Sequence, residues 1–206
     1  RVPTILSFTA PRRNYRCFPQ VARLAQRLGV TAVWTDRLIP AGRAADADDL
    51  LMSPDQTREY VELIRKARRR ARWFPWLGTR VLAHRALQFL GGGSPYHCKA
   101  GSSLLTLLPD GSLVPCRRLP IIVGNVRHTP LAELYRDSPL LRRLRDRSQI
   151  CSGCETCSHE PVCRGGLHCL SYAMTGDPFQ ADPGCWLAGG DFEKTMDAQA
   201  HAIRAS

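Results

Sequence analysis

The sequence predicts an α/β unit followed by a cysteine-rich module that folds around metal. Three observations carry this. The first third alternates strand-like and helix-like apolar patterns, and a Gly91-Gly92-Gly93 run then breaks the chain. Six of the nine cysteines (Cys151, Cys154, Cys157, Cys163, Cys169 and Cys185) fall in the last third.

Residues 2–8 (VPTILSF) have the apolar, β-branched content of a buried strand. Over 15–28, Phe18, Val21, Leu24, Ala25 and Leu28 recur at three- and four-residue spacing, an amphipathic helix ended by Gly29. Residues 30–34 (VTAVW) form a second buried strand. Strand, helix, strand is the unit of a parallel sheet. A polar loop over 36–49 follows, containing Pro40-Ala41-Gly42-Arg43. Ser53 and Pro54 then open a helix as N-cap and first-turn residue. It passes Tyr60, Val61 and Ile64 and ends in the basic run 66–72 (KARRRAR). One such unit with an extra helix cannot close a sheet by itself. A short helix is expected over 81–89. The glycine run lacks the Lys-Ser/Thr of a phosphate loop and reads as a linker.

Residues 103–108 and 112–114 are strands of a hairpin turned at Pro109-Asp110-Gly111. Thr129-Pro130 and Ser138-Pro139 each start a short helix. Beyond Ile150 the chain is a cysteine-rich loop, with helical character over 167–174 and a break at Gly176-Asp177-Pro178. A loop so poor in apolar residues cannot pack a core, and bound metal is what would fix it. The domain boundaries expected are therefore 1–90, 91–190 and a tail over 191–206.

The formal net charge is +11, from 29 Lys and Arg against 18 Asp and Glu. The excess is mostly arginine in an Ala-, Leu-, Pro- and Gly-rich chain, which points to genome composition. The densest run lies at a helix end, where the dipole and solvent both favour cations. No apolar run approaches the roughly 20 residues of a membrane span. The chain starts at Arg1, directly in a strand, and reads as a piece of something longer.

An odd cysteine count, no secretory signal and tight C-x-x-C spacing argue against disulfides and for metal in a reducing, cytoplasmic compartment. Cys154-Glu-Thr-Cys157 lets two sulfurs from one turn meet one centre, with Cys163 after a gap of five residues and Cys185 closing from a distant loop. Cys98 and Cys116 flank the hairpin and, with Cys169, make a second group. Cys151-x2-Cys154 is itself a ligand pair. Cys17 fits the apolar edge of its helix as a buried core thiol. Structural zinc with His159 or His168 is the alternative reading. A zinc ribbon touching nucleic acid would need interleaved basic and aromatic residues, which the region lacks. His168 is expected exposed or beside a cluster, and Glu155 and Glu160 solvated.

The cysteine spacing resembles the SPASM domain of radical SAM enzymes. That pattern is a cysteine, a variable gap and G-x4-C, then C-x2-C-x5-C-x3-C, then a last cysteine. Here Cys98 leads to Gly111, Ser-Leu-Val-Pro and Cys116, and Cys154-x2-Cys157-x5-Cys163 is followed later by Cys185. Pro109-Asp110-Gly111, Val123-Gly124-Asn125-Val126 and Ala173-Met174-Thr175-Gly176-Asp177 also look like the family. The match runs from about Tyr96 to Trp186. It departs at Leu167, where the fourth cysteine of the central motif belongs; Cys169 lies two residues on.

The resemblance implies two auxiliary [4Fe–4S] clusters. One would be held by Cys154, Cys157, Cys163 and Cys185. The other would be held by Cys98, Cys116 and Cys169, with Cys151 or an open place as the fourth. It further implies that residues 1–90 are the C-terminal part of a partial TIM-like radical SAM barrel. The motif C-x3-C-x2-C for the SAM-cleaving cluster is absent from these 206 residues. S-adenosylmethionine and a third [4Fe–4S] cluster are therefore expected only with a missing N-terminal barrel half, and this chain is expected inactive alone. A peptide or protein substrate, modified through a 5′-deoxyadenosyl radical, is the implied partner. In the sulfatase-maturing branch a catalytic Asp directly follows the hairpin cysteine. Arg117 stands there in this chain, so that role is not carried over.

Overall fold

The computed structural model describes residues 2–44, 48–73, 78–83, 85–93, 95 and 97–188. The expected tail over 191–206 lies outside them.

The first sheet is parallel, with β1 (Ile5–Ala10), β2 (Ala32–Arg37) and β3 (Arg80–Leu82) in that order. Strand β1 starts later than its apolar pattern suggests, because its register is set by β2: Ile5 pairs Ala32 and Ala10 pairs Arg37. Val2 stays 84% exposed. Helix α1 (Phe18–Arg27) follows a 3-10 turn at Tyr15–Cys17 and packs Phe18, Ala22 and Ala25 inward. Cys17 is a correction: it sits at the N-cap of α1 and is exposed, because the helix begins one residue beyond it.

Helix α2 (Pro54–Trp73) opens as expected, with the Ser53 hydroxyl accepting from Gln56 N and the Gln56 side chain accepting from Ser53 N. Its Tyr60 and Ile64 meet Tyr15, Phe18 and Val33 in the core beside the sheet. At the basic end of α2, Arg68 turns in to donate to the Val81 and Ala83 carbonyls.

The helix expected over 81–89 is not formed. Residues 80–82 instead add a third strand, with Val81 against Val33, because β2 has a free edge that a β-branched residue fills. A 3-10 turn, Ala86–Gly91, follows. Gly91 is buried against α2, where a Cβ would stand 2.9 Å from the Val61 carbonyl, so the glycine run is a packed contact on one side rather than a free linker.

The second sheet is antiparallel, with β4 (Thr106–Leu107), β5 (Ser112–Val114) and β6 (Gly124–Asn125) in order. Asp110 makes the turn by accepting from Ser112 N and Oγ. Strand β6 is the short Gly124-Asn125 piece, too brief for a period-two signal. Short helices α3 (Leu131–Asp137) and α4 (Pro139–Arg145) follow, the second capped by Ser138. The cysteine-rich stretch contains one turn of helix, α5 (Glu160–Cys163), and α6 (His168–Thr175) ends at Gly176. Contrary to expectation, this stretch enters a core: Cys151, Cys154, Leu167, Cys169 and Phe179 pack with Leu119, Leu141 and Leu144.

Candidate metal centre

Four thiols, those of Cys154, Cys157, Cys163 and Cys185, line one common cavity. Each arrives on a different piece of backbone. Cys154 and Cys157 come from successive tight turns closed by Cys154 N to Cys151 O and Cys157 N to Cys154 O. Cys163 ends α5. Cys185 follows a turn in which its N–H donates to Asp182 O. Leu87, Phe89, Leu90 and Leu187 supply an apolar wall, and His159, Glu160 and Asp182 complete the lining. Glu160 is thus half-buried at the cavity rather than solvated, whereas Glu155 is exposed and accepts from Gly153 N. Burial pushes up the thiols of Cys154, Cys163 and Cys185. Cys163 is pushed up to about 12, with Asp182 and the neighbouring Cys185 and Cys157 adding to it. Cys154 is raised further by burial and by four surrounding cysteines. Cys185 is raised by burial and by Asp182.

The second group is Cys98, Cys116 and Cys169. Burial raises the Cys98 thiol, and Cys116 adds to it; Cys169 is pushed up to about 12 by burial, with Cys98 and Cys116 contributing. Leu167 occupies the position the spacing reserves for a cysteine, and its side chain is buried in the core as the N-cap residue of α6. Cys169 is carried round on the first turn of α6 to face the hairpin thiols. Cys151 does not line the four-thiol cavity. It lies beside Cys154, against Gly165, with its Sγ 3.7 Å from Arg164 O. Burial raises its thiol to about 11, and the charges around it are Glu160, Asp177, Arg164 and Arg143.

Of the two places expected for His168, the exposed one is overturned: it is 8% exposed, with Nδ1 2.7 Å from Pro178 O and its ring against Phe179. It braces α6 against the chain after the Gly176 break. Among the described residues, no three of His, Cys, Asp and Glu converge tightly enough to hold a single metal ion. The four thiols surround a space instead. Soft donors around an enclosed, partly apolar space suit a multi-atom iron–sulfur group.

A family model described as an iron–sulfur cluster-binding domain, SPASM, matches residues 98–158. Residues 98–158 thus carry the domain that the cysteine spacing resembles, and the chain is similar to radical SAM/SPASM proteins. It is 27% identical over 195 residues to an AdoMet-dependent heme synthase from Nitratidesulfovibrio vulgaris, covering 87% of this chain and 53% of that protein. It is 24% identical over 194 residues to a PqqA peptide cyclase from Granulibacter bethesdensis, covering 91% and 50%. The chain thus spans about half the length of the curated relatives it matches. Its fold is similar to a solved structure described as native anSMEcpe with bound AdoMet, with TM-score 0.59 and 13% identity over 96% of this chain and 54% of that one.

Two residues central to this site escaped sequence reasoning. Asp182 lines the four-thiol cavity, and its partner Arg37 stands 145 residues away in β2. Neither belongs to a local motif. The only signal was an acidic residue in the short turn before Cys185.

Proposed function

We propose that this chain is the cluster-binding part of a radical SAM/SPASM enzyme that modifies a peptide or protein. The observation that carries the reading is the four-thiol cavity. Cys154, Cys157, Cys163 and Cys185 would hold one [4Fe–4S] cluster. Cys98, Cys116 and Cys169 would hold a second, whose fourth place is left open, since Cys151 lies with Cys154 and Gly165. Clusters bound there would supply one-electron transfer. The chain's own part is to bury the thiols, keep water from the apolar wall of Leu87, Phe89 and Leu90, and orient the Cys185 loop. Residues 1–90 would be the last part of the barrel, followed by the SPASM domain over 91–190. The motif C-x3-C-x2-C is absent from these 206 residues, so the step that cleaves S-adenosylmethionine is not assigned to any of them. No helix among the described residues is long and apolar enough to cross a membrane, and a cytoplasmic setting suits nine free cysteines, Cys17 exposed among them.

The likeness to PqqA peptide cyclases supports a peptide substrate. The likeness to heme synthases favours a second reading, a tetrapyrrole substrate. The test is iron, acid-labile sulfide and zinc content on protein purified without oxygen, with an absorption spectrum. About eight iron and eight sulfide per chain are expected. About four of each would remove the second cluster. Zinc without iron would overturn the reading and return the site to a structural zinc module.

A further inference from the structure

Arg37 ends β2, and Asp182 lies in the turn before Cys185. Both side chains are buried, at 4% and 1% exposure. Arg37 Nη1 donates to Asp182 Oδ1 at 2.8 Å, and Nη2 donates to Oδ2. The same carboxylate reaches two stretches that carry cavity thiols. Oδ1 accepts from Gly184 N at 2.9 Å, next to Cys185, and Oδ2 accepts from Leu167 N at 3.3 Å, four residues beyond Cys163. Gly184 is required for this approach, because a Cβ there would stand 2.5 Å from Arg37 Nη1 and 2.7 Å from Thr57 Oγ1. Thr57 is itself buried on α2, so β2, α2 and the Cys185 turn meet at one point.

We propose that Asp182, held by Arg37, is the positioning residue of the four-thiol centre: it fixes the Cys185 turn and the backbone after Cys163 so that both thiols face one cavity, and it places one negative charge beside the cluster. The inference rests on the cluster reading above. A bidentate arginine is suited to this task, since two parallel bonds fix the plane of the carboxylate. A buried ion pair is weak as a source of stability, because desolvation offsets most of the attraction. Its value here is geometric. The pair ties a strand of the first sheet to the cavity across 145 residues of sequence.

The test uses the whole chain, loaded with iron and sulfide without oxygen. The Arg37→Met/Asp182→Leu double variant removes both charges together and strands neither. It is expected to keep its far-UV spectrum while iron falls by about half, from about eight to about four per chain. Cys185→Ser should show the same loss, and adding it to the double variant should remove no further iron. Asp182→Asn keeps the shape and loses the charge. It is expected to retain iron and raise the reduction potential of one cluster in an electron-paramagnetic titration, the other staying unchanged. Arg37→Met/Asp182→Asn, which leaves neither charge unpaired, serves if either of these variants does not fold. Full iron in the double variant together with an unshifted potential in Asp182→Asn would overturn the proposal. Wild-type protein that takes zinc and no iron would defeat the cluster reading instead, so the two failures are distinguishable.

Discussion

Arg118, two residues beyond Cys116, donates from Nη1 to Asp36 Oδ2 at 3.2 Å, joining the hairpin to the carboxyl end of β2 across 82 residues. Arg85 approaches the same oxygen at 3.5 Å and lies over the Trp34 ring, and Arg37 N donates to the other oxygen. One carboxylate therefore serves three donors.

Asp36→Ala is expected to cost about 1–3 kcal/mol, because it leaves two half-buried guanidinium groups without their acceptor. Arg118→Ala should cost less, about 1 kcal/mol or below, since Asp36 keeps its other partners. Thermal unfolding of the two variants side by side checks the order.

Glu59 accepts from Arg16 Nε and Nη2, both at 2.9 Å, and from Tyr15 Oη at 2.6 Å. The bond from Arg16 first, and that from Tyr15 second, holds its carboxyl down to about 2 from an ordinary 4.5. A depressed carboxylate stabilises the fold in full above pH 4.5, and that contribution is lost as pH falls towards 2. The side chain is 42% exposed, so the contribution is under about 1 kcal/mol. Denaturant titrations at several pH values should show Glu59→Gln losing less stability than the parent across this window. Equal losses would remove Glu59 from acid unfolding.

Gly165 has φ of +78°, and a Cβ there would overlap the Cys151 Sγ. Gly165→Ala is expected to destabilise by about 2 kcal/mol or more, from the left-handed backbone and from overpacking. Adding Cys151→Ala should recover only part of the overpacking share, because a Cβ at 165 would also stand 2.7 Å from the Cys151 Cβ, which alanine keeps. Recovery of the whole loss would mean that the backbone is unstrained. Iron content of the Cys151→Ala single variant should match the parent, because Cys151 does not line the four-thiol cavity.

Cys17 should be the first cysteine alkylated by a bulky thiol reagent in the folded chain, as it is exposed while Cys151, Cys154, Cys163 and Cys169 are buried. Cys17→Ser is expected to change stability by less than about 0.5 kcal/mol and to leave iron content untouched. Peptide mapping by mass spectrometry, with iron analysis on the same sample, checks both.

Much of this was legible because the signals are local. The helix opening at Ser53-Pro54, the Asp110-Gly111 turn and the Cys154-x2-Cys157 pair all follow from residues a few positions apart. Residues 80–82 were misread because three residues carry no decisive period, and only the free edge of β2 makes them a strand. Cys17, and His168 as an exposed residue, were misplaced for a related reason. Their exposure depends on where α1 begins and on what Pro178 and Phe179 pack against, which composition does not encode. The Arg37–Asp182 and Arg118–Asp36 pairs join residues more than 80 positions apart, and no local pattern announces them.

Asp36 and Arg37 are neighbours, and successive side chains of a strand point to opposite faces. One therefore reaches the hairpin arginine beside Cys116, and the other reaches the turn before Cys185. A single peptide unit works as a yoke between the two thiol groups, so their separation is gauged by one strand end. A one-residue insertion or deletion in β2 upstream of Asp36 would slip that gauge and unhitch both centres at once.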